Sequence, residues 1–241
     1  MPMTQQKIES NIVNRTLLIL PVIILFSLAV YSGILIYADF SASNALSNID
    51  ARLKKQVLPD EADLQESIAN LQKALLLDSS NPDYLDKEAM LHRYMALSFQ
   101  PESEQANSAN RQALDLYRHL LTLRPSWAPY WGSIISIKYD LWEFDDEMIA
   151  ALHNAARLAP WDKTNQHIVI RTGFHGWPFI DAETRQTVNQ TLDRAMQLQP
   201  KETIRLALNQ GFSDRLNPYL EGDEELQKVY ENELQALKKR K

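Results

Sequence analysis

The stretch from Thr16 to Ala38 constrains this chain more than any other part. It reads TLLILPVIILFSLAVYSGILIYA and holds no charged residue across its twenty-three positions, with Arg15 and Asp39 directly outside it. A helix of about 20 apolar residues crosses the roughly 30 Å of hydrocarbon in a bilayer. The stretch therefore predicts a transmembrane helix over residues 16–38, preceded by a short N-terminal tail over residues 1–15.

A cleaved signal peptide and a buried core helix are the two alternatives for this stretch. The apolar core of a signal peptide runs about 7–15 residues, which is shorter, although a weak cleavage site can be drawn near Ser43 or Ala45. Lys7 and Arg15 precede the stretch, and no basic residue follows it before Arg52. By the positive-inside rule this predicts a cytoplasmic N-terminus and an external C-terminal part, although the basic residues from Arg52 onward count against it.

Composition narrows the class of the remaining chain. The 241 residues include 31 acidic and 25 basic side chains, for a net charge of −6, so no electrostatic attraction favours nucleic acid. The absence of cysteine excludes disulfides and thiolate ligands. Six glycines and many helix-forming residues predict an all-α fold after the transmembrane helix.

Apolar spacing and capping residues divide this part into helices. A helical stalk is expected over residues 39–59, with its helix stopped by Pro59, and a helical domain over residues 60–241 whose last helices cap it. The alternative for residues 40–58 is the first helix of the domain itself. Asp60 or Asp63 should cap the first domain helix, and Asn81-Pro82 should start the second. After a polar loop over 100–108, helices are predicted over 106–123, 126–142, 145–158, 162–172, 181–198, 201–211 and 223–239.

A recurring helix ending gives the domain its organisation. Similar Leu-containing endings precede Pro82, Pro125, Pro160 and Pro200, which are 43, 35 and 40 residues apart. Tetratricopeptide repeats have a period of about 34 residues, end in proline and place small residues where paired helices touch. The chain resembles that family in a degenerate form, which predicts an array of antiparallel helix hairpins meeting at Ala74, Ala113, Ala155 and Ala195. An irregular helical bundle is the alternative.

No motif for catalysis or cofactor binding stands out. The six glycines form neither GxGxxG nor a phosphate-binding loop, and there is no GxSxG elbow. The five histidines form no HExxH motif and no pair with i, i+4 spacing. We therefore expect a protein that is not an enzyme, with no metal and no cofactor. Asp145-Asp146-Glu147 is interpreted as an acidic helix N-terminus.

Two groups of residues are candidates for binding a ligand or a partner. The segment RTGFHGWP (171–178) offers Arg171, His175 and Trp177 between predicted helices, with glycines that suit close backbone approach or positive φ. The alternative is a structural turn in which Phe174 and Trp177 fill the core.

The second candidate group is aromatic. Trp127 and Trp161 lie beside prolines at helix starts and should be exposed, whereas Trp131, Tyr139 and Trp142 recur at helical spacing and are predicted to be core residues.

The whole layout is similar to the VpsP-type proteins of bacterial exopolysaccharide biosynthesis. The N-terminal anchor carries this resemblance together with RPSWAPYW (124–131), ARLAPWD (156–162) and RTGFHGWP (171–178). The resemblance implies a single-pass membrane protein with a helical-repeat domain and a place in polysaccharide production, and related repeat tails occur on O-antigen ligase-like proteins. Together with the orientation predicted from the charges, this gives the expectation of one pass through a bacterial inner membrane with the C-terminal domain in the periplasm. It implies no reaction and no catalytic residue.

The resulting hypothesis is a membrane-tethered scaffold that binds polysaccharide synthesis or export proteins through its repeats. A glycan-binding or glycan-processing module is one alternative, and an anchored periplasmic chaperone-like adaptor is another.

Overall fold

The computed structural model describes residues 3–54, 57 and 59–239, and in the first helix it describes side chains for 19–43, 49, 52 and 54. Every regular element in this described part is helical, as predicted. The helices are α1 (Met3–Lys54), α2 (Glu61–Leu77), α3 (Pro82–Ser98), α4 (Glu104–Leu123), α5 (Ala128–Asp140), α6 (Asp146–Leu158), α7 (Lys163–His175), α8 (Ala182–Leu198), α9 (Pro200–Gln210), α10 (Asn217–Leu220) and α11 (Glu224–Lys238). Short 3₁₀ turns cover Trp177–Phe179 and Ser213–Leu216.

The chain packs into two compact units that divide after Leu91. In the first unit, α1 contains a segment over Ile19–Ser43 that is long and apolar enough to cross a membrane. Its large apolar side chains stand free of protein contact, with Phe26 70 % and Ile36 69 % exposed. Exposure of that kind suits lipid and not water, because apolar side chains in water forfeit the free energy of burial.

The C-terminal part of α1 packs against α2 within the same unit. Ala38, Ala42 and Ile49 are buried there, so protein contact begins where the predicted transmembrane segment ends. Asp39 accepts a hydrogen bond from the Tyr84 hydroxyl, and the pKa of Tyr84 rises to about 12 through burial and this carboxylate. The stalk helix was predicted to continue to residue 58, but α1 ends at Lys54. Residues 55, 56 and 58 of this stretch lie outside the described part.

The second unit, from His92 onward, has a regular order of helix contacts. From α4 to α9 each helix packs against the next along the chain, and α5·α7, α6·α8 and α7·α9 pack as next-but-one neighbours. The four alanines predicted to lie at helix contacts are fully buried in their respective units: Ala74, Ala113, Ala155 and Ala195.

Side-chain caps start most of these helices at the predicted residues. Asp145, Asp162 and Asp181 accept hydrogen bonds from backbone N–H groups three residues ahead. Such caps satisfy donors that the first helical turn leaves without partners. In the first unit Asp60 caps α2 in the same way. Ser103 caps α4, so that helix begins inside the stretch 100–108 that was predicted to be a loop.

Ala155→Phe is expected to lower the free energy of unfolding by about 1–3 kcal/mol, because Ala155 is fully buried and a phenyl ring would overpack the contact. The matched control is Ala150→Phe, at an exposed position of the same helix, where the ring can extend into solvent. Chemical unfolding followed by circular dichroism measures both. Equal stability of the two variants would contradict close packing at Ala155.

Candidate functional site

The five residues predicted as a candidate site separate into two groups. The α5 and α7 helices run in the same direction, since Gly132 lies against Asn165 near their starts and Tyr139 contacts His175 near their ends. Trp127 and Trp161 precede these helices and lie at one edge of the stack. They are 50 % and 64 % exposed, as predicted. Arg171, His175 and Trp177 lie at the opposite edge.

The His175 side chain in α7 forms hydrogen bonds to both α5 and α9. Its Nε2 lies 3.1 Å from the backbone carbonyl oxygen of Gln210 in α9, so Nε2 carries the proton and donates. Its Nδ1 therefore accepts a hydrogen bond from the Tyr139 hydroxyl in α5. Both ring nitrogens are used in this way, which makes His175 a packing residue at the end of α7.

Arg171 and Trp177 also contact neighbouring protein groups. The Arg171 guanidinium lies over the Tyr139 ring, 5.1 Å from its centroid. Trp177 packs on Phe174, and its carbonyl oxygen accepts two hydrogen bonds from the Arg185 guanidinium at 3.1 and 2.9 Å. The guanidinium of Arg215 lies 4.6 Å from the centroid of the indole ring. These cation–π contacts hold the segment after α7 in place.

The glycines of segment 171–178 serve close packing. A Cβ atom added at Gly173 would overlap the Val188 side chain, and one at Gly176 would overlap the Phe144 ring. Gly176 has a φ of −84°, so positive φ, which the sequence suggested as one use of these glycines, is wrong for it. The α7 helix also continues to His175, three residues beyond its predicted end at 172. Phe174 is buried, which favours the structural alternative for this segment.

His175→Ala is expected to lower the free energy of unfolding by about 1–3 kcal/mol, because it removes two hydrogen bonds and leaves the Tyr139 hydroxyl without its acceptor. Thermal unfolding followed by near-ultraviolet circular dichroism measures the effect. The control is His119→Ala at an exposed position of α4, where no comparable loss is expected. If His175→Ala is as stable as wild type, the structural role is wrong and His175 is again a candidate for ligand binding.

A cleft of about 400 Å³ opens beside this edge of the second unit. Its lining includes Phe99, Glu102, Asn110, Tyr139, Asp140 and Trp142. Arg93 connects two of these lining residues. Its guanidinium donates hydrogen bonds to the side-chain oxygen of Asn110 and, at 2.8 Å, to the carboxylate of Asp140. A volume of this size falls in the range of small-molecule sites.

Trp131 and Tyr139, two of the three aromatic residues predicted to be core, are half-buried, whereas sequence periodicity placed Trp142 wrongly. It was predicted to be in the core with Trp131 and Tyr139, but its side chain is 59 % exposed at the mouth of the cleft. The reason is that α5 ends at Asp140, so the helical spacing used to place Trp142 does not extend to it. Trp142 instead meets Phe144 and Phe179 in an aromatic cluster, with ring centroids 5.1 and 6.3 Å away.

A buried ion cluster joins α4, α5 and the start of α6, and sequence analysis missed it. Lys138 is only 1 % exposed, and its Nζ lies 2.8 Å from Asp145 and 2.9 Å from Glu147. Arg118 also binds Glu147 at 2.7 Å. A Lys within the apolar run of α5, followed by five acidic residues between 140 and 147, was the available signal. Asp145-Asp146-Glu147 thus lies at the N-terminus of α6 as predicted, with Asp145 as the cap, and Asp145 and Glu147 also neutralise Lys138.

The cluster shifts the pKa values of its members. Hydrogen bonds from Arg118 lower the pKa of Glu147 to about 2, with Lys138 adding to the effect and burial opposing it. Burial alone would lower the pKa of Lys138, but hydrogen bonds to Asp145 and Glu147 outweigh burial and raise it. Glu147 and Lys138 are therefore both charged at neutral pH, and the cluster stabilises the α5–α6 corner.

This pKa shift predicts a pH dependence of stability. The pKa of Glu147 is about 2 in the folded chain and 4.5 ordinarily, so its contribution is complete above pH 4.5 and is lost as pH falls toward 2. The difference in unfolding free energy between wild type and Glu147→Gln should therefore shrink over that pH range. Urea unfolding at several pH values measures this difference. A difference that is constant from pH 7 to pH 2 would contradict the proposed role of the ion cluster.

Among the described residues, no group of three or more His, Asp or Glu side chains is placed to hold a metal ion. Comparison with known protein families finds no family that matches the chain, and comparison with curated proteins finds no matching relative.

Proposed function

We propose that this protein is a membrane-tethered helical-repeat scaffold that acts in bacterial exopolysaccharide or O-antigen production by binding other proteins. The observation that carries the proposal is the combination of an exposed apolar helix with a stack of paired helices in one chain. A tether of this kind confines the stack to the membrane surface and raises its effective concentration toward membrane partners.

Hydrogen bonds between next-but-one helices support the tetratricopeptide-like part of the proposal. From α5 to α9 they join residues 31 to 36 positions apart: 36 for Tyr139–His175, 35 for His175–Gln210, 31 and 34 for the bonds of His153 to Thr184 and Thr187, and 33 for Gln166–Gln199. The period of tetratricopeptide repeats is about 34 residues. Outside α5 to α9 the separations differ, with 29 for Arg118–Glu147 and 28 for Arg205–Glu233, so a period near 34 is limited to the middle of the stack.

Exposed apolar residues at one edge of the stack supply a surface for a partner. This edge, which we call the tryptophan edge, carries Trp127 and Trp161 together with Leu123 and Leu198, which are 39 % and 45 % exposed. Tryptophan is enriched among residues that dominate binding energy at protein interfaces. The resemblance to VpsP-type proteins supports polysaccharide synthesis or export proteins as the partners and a single pass through the membrane. Lys7 and Arg15 before the apolar stretch support a periplasmic location of the C-terminal domain.

The double variant Trp127→Ala with Trp161→Ala tests the scaffold function in cells that produce the polysaccharide. We expect polymer yield to fall strongly while the amount of membrane-bound protein and its melting temperature stay close to wild type, since both side chains are half or more exposed. The control is Phe179→Ala, which removes an exposed ring from the opposite edge. Normal polymer yield in a stable double variant would refute binding through the tryptophan edge.

A further inference from the structure

Two positions whose backbone conformation favours glycine carry large side chains, and both side chains line the cleft beside α5. Four described residues have positive φ: Gly211, Gly222, Glu102 at 64° and Trp142 at 56°. Positive φ is uncommon for residues with a side chain and is a clear outlier for a bulky one. Strained positions of this kind cluster at ligand sites, so the pairing of these two residues in one cleft indicates a function.

Glu102 occupies the third position of a tight turn. The Ser103 N–H donates to the Gln100 carbonyl oxygen at 3.1 Å, and Pro101 stands at the second position. Proline at the second position and positive φ at the third define a type II turn, in which glycine is strongly preferred at the third. A glutamate there costs stability and places a carboxylate at the cleft.

Trp142 occupies the corresponding glycine position at the end of α5. The Glu143 N–H donates to the Lys138 carbonyl oxygen at 2.8 Å, and the Trp142 N–H donates to that of Tyr139 at 3.1 Å. This pair of bonds is a Schellman motif, whose left-handed residue is usually glycine. With 59 % of its side chain exposed, Trp142 recovers only part of the strain by burial.

The two side chains define the chemistry of the site. An indole face attracts cations through its quadrupole, and a carboxylate attracts them by charge. None of the residues lining the cleft is Lys, Arg or His. Of the two guanidinium groups beside the cleft, Arg93 is paired with Asp140 at 2.8 Å and Arg171 lies on the Tyr139 ring, so Glu102 is the lining carboxylate without an ion pair among the described residues. We propose that this cleft binds a small organic ammonium ion, held between the Trp142 indole and the Glu102 carboxylate.

This site is independent of the scaffold function, because it lies at the edge opposite Trp127 and Trp161. A neutral sugar ring could stack on Trp142 and donate hydroxyl hydrogen bonds to Glu102, but unlike an ammonium ion it carries no charge to balance the carboxylate. The cleft volume of about 400 Å³ accommodates a free small molecule.

Calorimetric titration of the full chain with choline chloride tests the assignment. The detergent should be an uncharged polyoxyethylene type, which contains neither an ammonium group nor a sugar. We expect saturable binding, and binding about 3- to 30-fold weaker for dimethylbutanol, the neutral isostere in which carbon replaces the nitrogen. Equal affinity for the two compounds, or no saturable heat with choline, would overturn the proposal.

Variants at the two glycine-like positions separate binding from folding. Glu102→Gly and Trp142→Gly should each weaken choline binding by a similar factor, while the melting temperature rises or stays within about 3 °C because backbone strain is relieved. Glu102→Gln removes the charge without a backbone change and should weaken binding as well. Glu104→Gln, two residues away and outside the cleft lining, is the control and should bind as wild type.

Three further results test the role of the ring, the role of the charge and the source of the ligand. Trp142→Phe keeps a weaker aromatic face and should retain intermediate affinity. If Glu102→Gln binds choline as tightly as wild type, the proposal is wrong whatever the glycine variants do. Tighter binding of N-acetyl-lysine amide than of choline would overturn the assignment to a free small molecule and indicate a lysine of a protein partner.

Discussion

Close backbone approach at small residues is the constraint on which the helix stack depends. A Cβ atom at Gly132 would lie 2.6 Å from the Asn165 side-chain oxygen, and one at Gly173 would overlap Val188. Where helices come this near, short polar side chains can bridge them, as His175 does between α5 and α9. From α5 to α9 such bridges span 31 to 36 residues, which is the length of one helix pair with its turns.

The sequence was a good guide wherever a local rule decides the outcome. Asp145, Asp162 and Asp181 cap their helices because an aspartate before a helix satisfies free N–H groups whatever surrounds it. The buried alanines were equally predictable, since only small residues fit where helices touch. The glycines of segment 171–178 were not, because a glycine gives no sign of whether a ligand, a turn or a neighbouring ring such as Phe144 requires it.

The two edges of the stack obey different rules. At the tryptophan edge, a proline lies close to each exposed tryptophan, and the exposed rings break no backbone rule. At the opposite edge, Trp142 was misplaced because helical periodicity assumes that α5 continues, and its positive φ arises only because the helix has already ended. Periodicity fails at helix ends for this physical reason, and that is where the exposed rings of Trp142 and Phe179 lie.

The α5–α6 corner joins structural and strained features within one short loop. Lys138 lies just before the corner. Its buried ammonium group remains charged inside the protein because it pairs with the carboxylates of Asp145 and Glu147, which lie just after the corner. Those ion pairs hold the corner in one conformation, and this rigidity allows Trp142 to keep a backbone geometry that would otherwise relax. The cluster therefore holds the loop that carries Trp142. The unfavourable positive φ of Trp142 is thus compensated by the ion pairs of Lys138 a few residues away.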